Sequence, residues 1–292
     1  MENPCIPIMV EKESGEMTIC VIMSVYKTEE PLFFEEALKS IWDDQTRKPE
    51  QIVLVEDGPL TDGLSAVITL WKKKLGDVLC VCKNETNLGL TKSLNVALQH
   101  VNTDLVARMD SDDRSDARRF ERQEAYFESH PDVDIVGGAL QEFDEGHDCL
   151  NIRNYPLTHE DAIKFIIKAS PLAHPAVMMR MKMFHEGLKY DERFRMSQDI
   201  QLWFDAIMKG YHIGNIPEVV LYFRRAGDVF KRRSRVKAKN EFIIYMNGIY
   251  RMHGLWTTAY RFPIARYIFR NMPTPIVKWI YGSKLRKKVL EK

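Results

Sequence analysis

From residue 18 to residue 113 the chain alternates short β-forming runs with amphipathic stretches, and the runs end in polar or acidic clusters. TICVIMSV (18–25), QIVLV (51–55), VLCVC (78–82) and DLVARM (104–109) are strand-like. They are apolar enough to be covered on both faces, as strands of a parallel sheet are. Stretches 31–43, 62–75 and 91–100 carry helical periodicity, and Pro31 suits a first helical turn. Glu56-Asp57-Gly58-Pro59 and Asn87-Leu-Gly89 are turn signals. This alternation predicts an α/β fold: a mostly parallel, doubly wound sheet flanked by helices. Ligands of such sheets bind beyond the strand carboxyl ends. Ser24-Val25-Tyr26, Glu56-Asp57 and Asp110 to Asp113 all fall there.

The second half is less regular. Helices are predicted over 118–128 and 158–168, the latter capped by Thr158, and over 199–209 with Ser197 as the N-cap. Strands are predicted over 133–143, 176–180 and 219–223. Gly137-Gly138 inside the first of these marks a bulge or a close backbone approach.

Asp110-Ser-Asp112-Asp113 carries three carboxylates in four residues. They repel one another unless a cation sits among them. Oxygen-rich sites of this kind suit Mn²⁺ or Mg²⁺ shared with substrate phosphates. A solvated acidic loop or the charged first turn of a helix would use the same residues, and the position directly after a buried strand favours the cation site. Five cysteines, with no CxxC pair, predict free thiols in a reducing cytoplasm rather than a disulfide framework or a zinc site.

The six segments VIMSVYK (21–27), VEDG (55–58), NLGLTKSLNVAL (87–98), RMDSDD (108–113), SPLAHPAVMMR (170–180) and SQDIQLW (197–203) resemble, in order, the motifs of family 2 glycosyltransferases of the GT-A fold. The resemblance is strongest to bacterial enzymes that build O-antigen and capsular polysaccharide. It implies a nucleotide-binding half (18–114) and an acceptor-binding half (115–225) in one catalytic domain. Ser24 and Tyr26 would border uridine, and Asp57 would accept a hydrogen bond from uracil. Asn87 would lie in the nucleotide-sugar site and Lys92 near the diphosphate; Asp112 and Asp113 would hold the metal and diphosphate, with Asp110 close to the ribose or the metal. Asp199 would be the general base of a single inverting displacement, with His174, Gln198 and Trp203 on the acceptor side. Tyr26 and Trp203 also suit a buried core, Asp57 a turn, Lys92 a solvated helix face and Asp199 a helix N-terminus.

Two departures from the family pattern stand out. Gln198 replaces a common Glu, and YFRRAGD (222–228) lacks the histidine that completes the metal site in many relatives. Either the metal then has fewer protein ligands, or Arg224 and Arg225 meet the leaving diphosphate directly. The implied reaction moves a hexose, galactose or glucose foremost, from a UDP-sugar to a polyprenyl-diphosphate-linked sugar, N-acetylglucosamine foremost. Two rival readings are a nucleotidyltransferase, for which SVYKTEEP (24–31) lacks a Gly-rich basic loop, and a non-catalytic nucleotide- or glycan-binding module.

The net charge of +1 hides an asymmetry: residues 224–292 carry 18 Lys and Arg against 3 Asp and Glu, and residues 1–223 carry 24 against 38. In the tail, basic residues alternate with large apolar ones, as in RFPIARYIFR (261–270) and IVKWIY (276–281). Residues 226–292 are thus expected to form a basic helical appendage after a short extension (1–17) and the catalytic domain (18–225). Among a membrane surface, a solvated appendage and nucleic acid, the first is favoured and nucleic acid is not expected as a partner. No leader-like start and no run of about 20 apolar residues is present, so the expected location is cytoplasmic, peripheral on the inner face of the membrane.

Overall fold

The structure, a computed structural model, describes residues 17–225 and 234–272. The N-terminal extension and the IVKWIY segment lie outside the described residues. The chain divides into two compact units, Met1–Ala226 and Gly227–Lys292.

The first unit opens with β1 (Ile19–Val25), α1 (Pro31–Ile41), β2 (Gln51–Asp57), α2 (Asp62–Leu75), β3 (Leu79–Asn84), α3 (Leu90–Leu98) and β4 (Leu105–Met109). Ile19 to Met23 of β1 are fully buried, as are Ile52 to Val55 of β2. This is why these strands read as unbroken apolar runs: helices flank them, α1 and α2 in the main core and α3 against β1 and β2. Alternate β1 residues Ile19, Val21, Met23 and Val25 pack with Phe34, Leu38 and Ile41 of α1 in the main core. Truncating a buried residue such as Phe34 costs about 3–5 kcal/mol. β3, β2, β1 and β4 pair in parallel, in that order.

Next come β5 (Arg114–Ser115), α4 (Arg119–Ser129), β6 (Val133–Asp144), β7 (His147–Arg153), α5 (His159–Ile166), β8 (Met178–Arg180), α6 (Lys182–His185), α7 (Gln198–Met208) and β9 (His212–Arg224). They extend the sheet as β4-β8-β6-β9-β5, with β7 paired to β6. Here only β6 and β9 run parallel, and β4–β8, β8–β6, β9–β5 and β6–β7 are antiparallel. The sheet is therefore parallel in the half that sequence periodicity described well and mixed in the half it did not. β7 was not expected. It follows β6 through a turn in which Gly146 N–H donates to Asp144. β9 begins seven residues before the expected 219–223 strand. At Gly138/Ala139 the β6–β9 register shifts. A Cβ on Gly137 would stand 2.2 Å from Asn215 Oδ1, and one on Gly138 2.7 Å from Val220. The glycine pair is thus both a bulge and a close approach.

Thr158 caps α5 through its side chain, as expected. Ser197 occupies the N-cap position of α7, as expected, but at φ 64° and with no capping side-chain hydrogen bond. Cys20, Cys82 and Cys149 are free thiols, whereas Cys80 is disulfide-bonded, contrary to the expectation of thiols throughout. Cys5 lies outside the described residues.

The second unit contains α8 (Arg235–His253) and α9 (Arg261–Asn271), joined by a short 3-10 turn, Thr258–Tyr260. Phe242 packs on Tyr267, and the buried Glu241 accepts from Arg270 at 2.9 Å. No helix among the described residues is long and apolar enough to cross a membrane.

Candidate active site

β1 has β2 on one side and β4 on the other, so the connection direction reverses between β1 and β4. The crevice outside their carboxyl ends is the expected binding place of a doubly wound sheet. Ser24 and Tyr26, both half-buried, end β1 there, and Asp110 to Asp113 follow β4.

One carboxylate oxygen each from Asp110, Asp112 and Asp113 lies within 4.8 Å of the other two. Arg108, fully buried beneath them, holds Asp110 in a bidentate pair, with Nη1 donating to Oδ2 at 2.8 Å. Asp113 is 0% exposed. Its Oδ1 accepts from the Arg224 backbone N–H at 2.8 Å, while its buried Oδ2 has no hydrogen-bond partner. Burial first, and then the charges of Asp110 and Glu29, push Asp112 up to about 6. Burial, Asp110 and Asp112 hold Asp113 well above the usual carboxylate range. An orphaned, buried carboxylate oxygen inside a self-repelling cluster of hard donors fits a divalent cation such as Mn²⁺ or Mg²⁺.

The loop is clamped from the side. Arg224 is 3% exposed and donates from Nε to the Asp112 carbonyl at 2.8 Å and from Nη1 to Glu145 at 2.5 Å. It also pairs with Glu36 and stacks on Phe33, 3.9 Å from the ring centroid. The Arg224 guanidinium, expected at the leaving diphosphate, is buried here and holds the acidic loop. Arg225 is more open, 3.9 Å from Glu142.

Asp57 also has an internal role. It is 3% exposed, and its two oxygens accept from Asn84, Asn87, Leu88 N–H and Gly89 N–H at 2.8–3.1 Å. Four donors occupy the lone-pair positions of a carboxylate, so Asp57 ties the loop before α3 to the end of β2. Asn87 in turn accepts from Arg195 Nη2 at 3.0 Å. Lys92 is exposed in the first turn of α3.

On the acceptor side, Asp199 is half-buried in the first turn of α7. Its charge is felt by Tyr155 and Tyr190. Tyr190 also lies within the fields of Arg108 and Asp110. That one tyrosine links α7 to the acidic loop although 89 residues separate Asp110 from Asp199. His174 shares a 2.8 Å hydrogen bond with Tyr190 and stands edge-on to Trp203. Burial, then Arg108, keeps His174 neutral. Trp203 is 0% exposed, and His174 and Gln198 are buried.

Residue patterns alone missed four groups. Glu29 accepts from Ser111 Oγ at 2.9 Å and adds a fourth acid beside Asp112. Arg108, Tyr190 and Arg195 are the others. Only Arg108 had a readable signal, a lone cation inside an otherwise apolar strand.

A sequence profile described as Glycosyl transferase family 2 matches residues 20–188. An uncharacterized glycosyltransferase of Haemophilus influenzae is 36% identical over 93% of this chain and 100% of its own length. The amylovoran biosynthesis glycosyltransferase AmsE of Erwinia amylovora is 34% identical, over 89% and 97%. An Escherichia coli enzyme named UDP-Gal:alpha-D-GlcNAc-diphosphoundecaprenol beta-1,3-galactosyltransferase is 29% identical, over 91% and 96%. Among solved structures, S. aureus TarS 1–349 in complex with UDP-GlcNAc superposes with a TM-score of 0.62 at 19% identity, over 93% of this chain and 78% of that one. The Pyrobaculum calidifontis mannosyltransferase PcManGT, in complex with GDP-Man and Mn²⁺, gives 0.60 at 16%, over 96% and 77%. These structural likenesses show a shared GT-A fold. With an acidic loop at the switch point and relatives that match across nearly their whole length, the chain belongs to glycosyl transferase family 2 and is a glycosyltransferase of the bacterial polysaccharide type.

Proposed function

We propose that this glycosyltransferase moves a hexose, galactose or glucose, from a UDP-sugar to a hydroxyl of a lipid-diphosphate-linked sugar, with N-acetylglucosamine the favoured acceptor, and inverts the anomeric centre. The observation that carries the reading is the acidic loop with its unpartnered Asp113 oxygen, held in the same electrostatic neighbourhood as Asp199. The printed activity of the E. coli relative supports the choice of sugars. Asp110, Asp112 and Asp113 would hold a Mn²⁺ or Mg²⁺ ion, which when bound neutralises a diphosphate leaving group.

The chain's own residues do the rest. Ser24 and Tyr26 line the crevice where the nucleoside enters, and Asp57 keeps the neighbouring loop in shape. Lys92, Arg195 and Arg225 supply exposed or half-exposed positive charge. Asp199 takes the proton of the attacking hydroxyl, a poor nucleophile at neutral pH without a carboxylate within hydrogen-bond reach. His174, Tyr190 and Trp203 pack behind the acceptor region and fix its floor. A lipid-linked acceptor places the enzyme at the inner face of the cytoplasmic membrane.

A panel of UDP-sugars, with and without a lipid-diphosphate acceptor mimic, tests this reading through UDP release. The expected result is acceptor-stimulated release from UDP-galactose or UDP-glucose that EDTA abolishes and Mn²⁺ restores. Undiminished turnover in EDTA would refute the metal role, and the absence of release from any UDP-sugar would refute the donor class.

A further inference from the structure

The exposed surface of the second unit is chemically one-sided. Residues 234–272 contain seven Lys and Arg and a single acid, Glu241. Glu241 is 5% exposed and bonded to Arg270, so the surface of these described residues presents no carboxylate. Apolar side chains share that surface. Val236, Ile243 and Tyr250 recur every seven residues, which puts them on one face of α8, and they are 63%, 38% and 53% exposed. Beyond the end of α8, Leu255 and Trp256 stand 69% and 97% exposed. The turn that carries them is braced by its own bonds: Gly254 N–H donates to the Tyr250 carbonyl, and Tyr260 Oη–H donates to the Gly254 carbonyl, both at 2.8 Å. The tryptophan is thus held out on a fixed turn, with Arg251 and Arg261 exposed on either side.

We infer that the α8–α9 hairpin is a docking element for an anionic bilayer, with the Leu255-Trp256 turn entering the headgroup region and the flanking arginines and lysines meeting lipid phosphates. A large aromatic with aliphatic neighbours and a ring of cations is the chemistry of an interfacial anchor. Val236, Ile243 and Leu255 offer nothing to the phosphates of a nucleic acid. A second copy of the same face would bring cation against cation, because a two-fold contact is self-complementary and this surface has no acids to pair. The inference rests on the lipid-linked acceptor reading only for its purpose; the surface chemistry stands without it.

Flotation of the full chain with phosphatidylglycerol-containing vesicles and with pure phosphatidylcholine vesicles tests the inference. Binding is expected on the anionic vesicles, weakened by salt. The double variant Leu255→Ser, Trp256→Ser should lose at least about tenfold in partitioning, the order set by withdrawing large apolar side chains from an apolar phase. UDP release with a water-soluble acceptor should be unchanged in that variant, so a failure of the sugar-transfer reading is separable from a failure of docking. Partitioning unaffected by the double variant would overturn the inference. So would equal binding to both vesicle types, DNA binding that displaces the vesicles, or light scattering that shows this face buried in a dimer.

Discussion

Asp113 and Arg224 divide the labour that a missing histidine leaves open. The arginine's amide takes one oxygen of Asp113, its side chain takes the Asp112 carbonyl, and the other Asp113 oxygen is left without a partner. Arg224→Ala would therefore strip support from the acidic loop, leaving the Asp112 carbonyl without its side-chain donor, while Glu36 keeps Arg114 and Glu145 is already exposed to solvent. The expected cost is about 1–3 kcal/mol. A denaturation midpoint that falls by that amount is expected; a raised KM for donor with unchanged stability would instead mean a diphosphate contact. The carboxyls make a second prediction. Asp112 rises from 3.8 to about 6, so the folded, metal-free protein holds this proton more tightly than the unfolded chain does. Its contribution to stability is full below about pH 4 and lost as pH rises through about 6. A divalent ion competes with that proton, so the rise in Tm on adding Mn²⁺ should be larger at pH 7.5 than at pH 5. Saturation at a hundredfold over Kd corresponds to about 2.7 kcal/mol. Asp112→Asn should flatten the difference between the two pH values, as thermal melts will show.

At the scale of elements, the loop from β2 to α3 shows how a motif can be legible while its job is not. VEDG and NLG were read as turns; β2 runs on through Asp57 and stops at Gly58, and Asp57 receives four hydrogen bonds from its own chain, two of them from the backbone of the NLG segment. Gly58 makes this possible: at φ 88°, a Cβ there would stand 2.7 Å from Asn87 N. Gly58→Ala is expected to cost about 1–3 kcal/mol through strain and clash, and to weaken UDP binding because the loop must move. Unfolding and calorimetric titration of the same variant check both effects. The parallel strands were readable because burial on both faces writes itself as a continuous apolar run. β7 and the early part of β9 were not. β7 mixes polar and apolar residues in HDCLNIR, and β9 carries Pro217 and Glu218 in a region where its register with β6 shifts. His174, Gln198 and Trp203 lay in recognisable motifs, yet their burial depends on the packing of α7 against the sheet, which no local pattern encodes.

At the scale of the whole molecule, the candidate site is assembled by topology rather than by any one segment. The acidic loop follows a central strand, Arg224 comes from the far end of β9, and Asp199 comes from a helix between them in sequence. Sequence order predicted their association only through family resemblance; the structure supplies the physical link in Tyr190, which lies in the fields of Arg108, Asp110 and Asp199 together. Asp199→Asn measures that assembly most directly, because it removes the proton acceptor while nearly preserving volume and helix placement. Transfer from the active UDP-sugar should fall about 10²–10⁴-fold in kcat, with UDP-sugar affinity and Tm close to those of the parent protein. Turnover that persists near the parent rate would contradict the assignment of Asp199 as the base and, with it, the site as drawn here.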